Sequence, residues 1–315
     1  MTRTADAQLP DADPENAVAA IDLGTQTALL LVARRREDGS LDVLEDHAFA
    51  ARLGEGMGAD GALAPDSVER TLDVLATFAR RIALHGLAPE RVRAVGTAVL
   101  RRARDRDAFV ACVAEACGLA IQVVDGADEA RLAWEGAVGD AAVDALIDIG
   151  GGSTEVVTDG GAVVRSIEVG ARWLDEALVA EGLGPDAAPT FVARALERDG
   201  SLSRGDAPAV ESAVVAGGTG VNLGSLVAGG AAFDHRVAEG RAIDARDATH
   251  WAERLGALDL EDRLDHPIEP ARAAVLPAGL WILAGVLERL GPRRTTVTTR
   301  GVRHGVARRL LAERG

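Results

Sequence analysis

The stretch that most constrains this chain is "ALIDIGGGSTEVV", residues 145–157, where three glycines sit between two apolar runs bracketed by Asp148 and Glu155. Glycine loses more conformational freedom on folding than any other residue, so three in a row need a compensating gain. Without side chains in the way, successive backbone N–H groups become open to an anion. The same pattern stands near the start of the chain. In "AVAAIDLGTQTALLLVARRR" Asp22 takes the place of Asp148, and Gly24, Thr25, Gln26 and Thr27 form the turn. Each turn opens a strand–turn–strand meander, and the two lie about one domain's length apart. The pattern predicts an α/β chain of two related domains, residues 17–133 and 134–315. Residues 1–16, rich in Asp and Pro, are expected to be a disordered tail.

Between the meanders the periodicity turns helical. In "PDSVERTLDVLATFARRIALHG", Val68, Leu72, Leu75, Phe78 and Ile82 share a face, with an Asp66–Glu69 capping-box pattern and a stop at Gly86. "RVRAVGTAVL" reads as a strand, "RDRDAFVACVAEACG" as a helix ended by Gly118, "LAIQVVDG" as a strand and "ADEARLAWEGAVGD" as a helix. Leu276, Leu280, Leu283, Leu287 and Leu290 form a stripe suited to core packing or, second, to a helix-pair interface.

A third glycine loop, "AVVAGGTGVNLGSL", presents Gly217, Gly218 and Thr219. Three such loops point to a polyanion, most plausibly phosphate. Gly150, Gly151 and Gly152 offer N–H groups to phosphate, as Gly24 does in the first turn, and Ser153 and Thr154 add donors, as Thr25, Gln26 and Thr27 do. No Gly-Lys-Ser/Thr follows, so this is no P-loop, and the first two turns lead into strands rather than helices, which excludes a dinucleotide fingerprint. Asp22 and Asp148 end strands at these turns, where they could hold Mg²⁺ or a water near phosphate. Glu155 either returns to the same mouth across the hairpin or is an ordinary surface residue.

A net charge of −15 argues against general binding to nucleic acid or anionic membranes. All 34 Lys-plus-Arg residues are Arg, and two islands, residues 91–106 and 293–309, gather six each. Either island is a local anion site or a solvated helix face. Cys112 and Cys117 lack nearby His and read as buried, reduced thiols. No apolar run approaches membrane-spanning length, and the expected location is the cytoplasm.

Taken in order, "AAIDLGTQT", "RLGEGM…GAL", "GTAVLRRARD", "VVDGADEARLAWEGA", "LIDIGGGSTEVV", "VAGGTGVNL" and "TTRGVRHG" resemble the exopolyphosphatase/guanosine pentaphosphate phosphatase family. The resemblance runs from about Val18 to the C-terminus. It implies two duplicated ribonuclease H-like domains of the actin-like ATPase superfamily with a cleft between them. It also implies Mg²⁺-dependent removal of terminal phosphate from inorganic polyphosphate or of the 5′ γ-phosphate of guanosine pentaphosphate (pppGpp), by a homodimer. By motif match Glu129 takes the position of the catalytic glutamate, Asp148 and Glu155 are the other essential acids, and Arg101 matches a phosphate-binding arginine. On its own, Glu129 would read as a solvated acid beside Arg131.

Two positions depart from the pattern. The family's first turn is Gly-Ser-Asn-Ser with a basic residue two positions on, where this chain has Leu29; its C-terminal motif has an acid where His304 stands. The chain also lacks the extra domains of long members, which favours short polyphosphate. Two other readings remain. One is an ATP-using relative of the sugar kinases, suggested by "VAGGTGVN"; the other is a weakened polyphosphate or alarmone sensor, suggested by Leu29 and His304.

Overall fold

The computed structural model describes residues 16–139, 141–199 and 210–313; the expected tail, save Asn16, lies outside them. The first meander forms as read. Strand β1 (Ala17–Leu23) pairs antiparallel with β2 (Ala28–Arg35), which pairs with β3 (Leu41–Phe49) beyond a turn at Gly39 with φ of 81°. Alternate residues of β1 serve two cores: Ala19, Ile21 and Leu23 face one, Val18 and Ala20 the other. A sheet covered on both sides needs such continuous apolar runs.

Helix α1 (Pro65–Leu84) buries Leu75, Phe78 and Ile82 in the first core, with Val68 and Leu72 packed against it. Its expected capping box does not form. The helix starts at Pro65, whose fixed φ suits the first helical position, and no side chain caps it. "RVRAVGTAVL" is also only half strand. Strand β4 (Val92–Gly96) stops at Gly96, and α2 (Ala98–Arg102) folds Leu100 back over it. A Cβ on Gly96 would lie 2.4 Å from Leu100 Cδ1. Next come α3 (Arg106–Cys117), ended by a left-handed Gly118, β5 (Ile121–Val123) and α4 (Gly126–Ala137). Phe109 and Val113 give α3 its core face; Cys112 is exposed and Cys117 half-buried, which corrects the expectation that both are buried.

The second meander repeats the first, with β6 (Ala145–Ile149), β7 (Thr154–Thr158) and β8 (Val163–Ile167). Helices α5 (Ala171–Ala180) and α6 (Ala188–Asp199) precede β9 (Ser212–Ala216) and α7 (Gly217–Ala228). The remainder comprises α8 (His235–Ala238), β10 (Ala242–Ile243), α9 (Ala245–Gly256), α10 (Leu260–Arg263), α11 (Leu276–Leu290), β11 (Arg294–Val297) and α12 (Val302–Ala312). All five leucines of the α11 stripe are buried in the second domain's core, so the stripe is packing.

The sheets share one topology. The first runs β3-β2-β1-β4-β5; the second runs β8-β7-β6-β9-β11, with β10 added at the edge. In both, the central strands are parallel, which aims their carboxyl ends the same way. Open α/β sheets bind ligands beyond those ends.

Two helices join the halves. Helix α4 packs on β6, β7 and β8, whereas α12 returns from the end of the chain onto β1 and β2. Between them lies a third core in which Val18, Ala20 and Leu31 meet Leu146 and Val157 through Ala130, Ala133, Val306 and Leu310. A boundary between residues 133 and 134 therefore falls inside α4. The helices cross at glycines: a Cβ on Gly136 would lie 2.1 Å from Gly301 O, and one on Gly305 2.0 Å from Leu132 O. Among the described residues, no helix is long and apolar enough to cross a membrane.

Candidate active site between the glycine loops

The loops that leave the parallel strands converge on one cavity of about 410 Å³ between the domains. The two meander turns are near copies. Gly24 N–H donates to Thr27 O at 3.0 Å, and Gly150 N–H to Ser153 O at 2.9 Å. They also touch: a Cβ on Gly151 would lie 3.1 Å from Thr25 Cβ, and one on Gly152 2.6 Å from Thr25 Oγ1. That close approach is the gain that offsets the entropy of the triple glycine. Gly217 opens α7 with φ of 80° and lies so close to Asp148 that its Cβ would be 2.4 Å from Oδ1.

The carboxylates arrive from separate elements. In the β6–β7 register Asp148 stands directly opposite Glu155, so both side chains leave the same face and Glu155 does return to the mouth. In β1–β2 the matching partners are Asp22 and Leu29, so Leu29 is the counterpart of Glu155 across the duplication. Glu129 sits in the first turn of α4, a helix capped by Asp125, whose side chain accepts from Asp128 N–H at 2.8 Å. Asp22, Asp148, Glu155 and Glu129 all line the cavity.

Crowding acids out of water raises their pKa values. Burial, then Glu129 and Asp148, push Asp22 up to about 8 against the opposing field of Arg303. Burial lifts Glu129 to about 7 although Arg101 is bound to it, and lifts Asp148 to about 6 against Arg272 and Arg303. Glu155 is also raised, by burial and then by Glu129 and Asp148, while Ser153 and Ser166 donate to it.

These acids bind protons in the fold that an unfolded chain would have released. Their contribution to stability is intact below the usual value of 3.8 and is lost as pH rises through about 8. Metal-free protein is therefore expected to lose stability across that window, and Asp22→Asn to be more stable than wild type near its upper end. Urea midpoints against pH check this; a variant less stable than wild type near pH 8 would contradict it.

Of the residues expected at the site, Gly24, Thr25, Gln26, Thr27, Gly150, Gly151, Gly152, Ser153, Gly217 and Gly218 also line the cavity. Three do not. Thr154 is fully buried and donates to Val169 O at 2.6 Å. Thr219 faces α11, where a Cβ on Gly279 would meet its Oγ1 at 2.5 Å. Arg101 lies behind Glu129, bound to its carboxylate and to Val124 O, so it orients the acid instead of facing the cavity.

The cationic walls come from Arg272, which carries no sequence signal, and from Arg300 and Arg303 of the second basic island. Arg272 reaches Thr27 Oγ1 at 2.7 Å and Glu269 at 2.9 Å, from a stretch with no motif. Arg303 grips Asp46 on β3 with two 2.8 Å bonds. It belongs to the second basic island, and with Arg300 it makes that island's cavity face; Arg293 and Arg309 pair outside with Glu211 and Glu135. The first island disperses: Arg93, Arg104 and Arg106 pair with Glu313, Asp60 and Asp107, and Arg102 stacks on Trp173. His304 lies outside the cavity lining. Burial and three neighbouring arginines keep it neutral, and its Nδ1 accepts from Gly301 N–H at 3.4 Å. A neutral acceptor thus does for the start of α12 what an acidic side chain would do.

The set fits phosphate and a divalent cation. Thr25 Oγ1 is buried with no protein partner. Hard carboxylate oxygens match Mg²⁺, which is usually held by one or two carboxylates plus substrate phosphates rather than by a protein cage. No cluster of three or more ligating side chains among the described residues forms such a cage.

Comparison with known proteins finds relatives along almost the whole chain. The profile of the Ppx/GppA phosphatase family matches residues 31–314. Exopolyphosphatase 2 of Mycobacterium tuberculosis is 30% identical over 312 residues, covering 92% of this chain and 97% of that protein. A guanosine-5'-triphosphate,3'-diphosphate pyrophosphatase of Photobacterium profundum is 29% identical over 309 residues, covering 94% of this chain and 59% of that longer protein. The crystal structure of the Aquifex aeolicus member of the family superposes with a TM-score of 0.72 at 26% identity, covering 95% and 97% of the two chains.

Proposed function

The chain belongs to the Ppx/GppA phosphatase family, and from that premise we propose that it is a phosphoanhydride hydrolase acting on the terminal phosphate of inorganic polyphosphate or the 5′ γ-phosphate of pppGpp. The observation that carries this reading is the convergence of Asp22, Glu129, Asp148 and Glu155 with two facing glycine loops and three arginines, Arg272, Arg300 and Arg303, on one cavity. Phosphoryl transfer depends more on positioning and charge neutralisation than on covalent chemistry.

The terminal phosphate would lie against the N–H groups of loops 24–27 and 150–153 other than those of Gly24 and Gly150, which close their own turns, with the Thr25 hydroxyl as a further donor. Arg272 and Arg303 face the charge that builds on its oxygens. Glu129, held by Arg101 and a Thr97 hydroxyl bond, takes the proton of the attacking water. The new P–O bond forms as the anhydride bond breaks, and the shortened chain leaves with the electron pair. One or two of Asp22, Asp148 and Glu155, together with substrate phosphate, would hold a divalent cation, which would supply charge neutralisation at the phosphoryl oxygens.

The test compares phosphate release from short polyphosphate, pppGpp and ATP, with and without EDTA. Release is expected from the first two, to be lost in EDTA and restored by Mg²⁺. Undiminished release in EDTA would remove the metal from the account. Sugar-dependent turnover of ATP would favour the kinase reading, and binding without release the sensor reading.

A further inference from the structure

Gln26 is a candidate phosphate contact, but both ends of its side-chain amide are engaged by protein. Its Nε2 donates to Ala271 O at 2.9 Å, and its Oε1 accepts from Arg172 Nε at 2.6 Å. Both partners belong to the second domain, and the glutamine is only 2% exposed. Arg172 is buried as well. Its backbone N–H donates to Gly151 O at 2.9 Å, while its guanidinium also reaches Glu176 and Glu55. An unbroken path thus runs from the first loop through the Gln26 amide and Arg172 to the triple-glycine loop. On the first domain's side, Arg52 N–H donates to Gln26 O at 3.0 Å and Gly54 N–H to Thr25 O at 3.0 Å, so the loop is held from behind.

With its oxygen on a charged donor and one N–H on a carbonyl, the amide keeps one N–H and one lone pair, and those two bonds fix where both point. We propose that Gln26 is a positioning residue: it ties the first loop to Arg172 and to the Ala271 carbonyl, and so sets the gap between the two glycine loops. Phosphate is left to the loop N–H groups and to Thr25. The length of the side chain matters, because asparagine is one methylene short of spanning both partners. This inference rests on the hydrolase reading for its kinetic consequence but not for its structural one.

The test is a double-mutant cycle of Gln26→Ala and Arg172→Met, read in kcat and KM for short polyphosphate, with small-angle scattering of each protein. Displacing the loops by an ångström is expected to lower kcat by about 10- to 100-fold in either single variant. The double variant should fall no further than Gln26→Ala, because that change already removes the link that Arg172→Met cuts. Scattering should show a more open arrangement in both. Gln26→Asn, a milder change, should reproduce part of the kcat loss and serves if the alanine variant does not fold. Additive losses dominated by KM, with unchanged scattering, would make Gln26 a direct phosphate contact and overturn the proposal, as would wild-type kinetics in Gln26→Ala. If wild type released no phosphate at all, the hydrolase reading would fail, while scattering alone would still decide whether Gln26 holds the domains.

Discussion

Glu129→Gln is expected to lower phosphate release from short polyphosphate by roughly 10²- to 10⁴-fold, the usual contribution of a positioned general base. The change is close to isosteric. The glutamine oxygen can still accept from Arg101, and the variant loses a buried charge that already stands near Asp22 and Asp148. Its fold should therefore be at least as stable as wild type near neutral pH, which separates a chemical defect from unfolding. Phosphate release and a urea titration on the same preparation check both halves. Wild-type turnover would place the base elsewhere.

The second large effect is structural and lies away from the cavity. Gly136→Ala adds one methyl group where α4 and α12 cross, with its Cβ 2.1 Å from Gly301 O and 2.6 Å from Gly305 N. Both neighbours are backbone, so no side chain can swing aside, and close-packed interiors respond by shifting whole elements. A destabilisation of about 3 kcal/mol is expected, at the upper end for overpacking. The activity should fall with it. Glu129 rides on α4 two turns before Gly136, and Arg303 lies on α12 beside Gly305. A urea midpoint equal to that of wild type would show that the crossing is looser than this geometry requires.

Much of this was legible in the sequence where a local pattern forces a local shape. Asp148 and Glu155, seven apart around a glycine turn, had to face each other once the turn was a hairpin, and the same spacing exposes Leu29 as the partner of Asp22. The five leucines of α11 found the core through periodicity alone. Long-range placement was not legible. Nothing in the stretch around Arg272 announces that it crosses to Thr27, nor does a helical face reveal that Arg172 will hold Gln26. Arg101 carried a motif, yet its position behind Glu129 is set by its bonds to that carboxylate and to Val124 O. The capping box at Asp66 failed because Pro65 offered the helix an earlier start.

In the proposed mechanism a water held by Glu129 attacks the terminal phosphorus in the cleft between the glycine loops. Hydrolysis of short polyphosphate in ¹⁸O-labelled water, followed by mass spectrometry of the products, shows where that water goes. One labelled oxygen is expected in each released orthophosphate and none in the shortened chain, with loss of that signal in Glu129→Gln. Label in the remaining chain, or full labelled release by the variant, would contradict it.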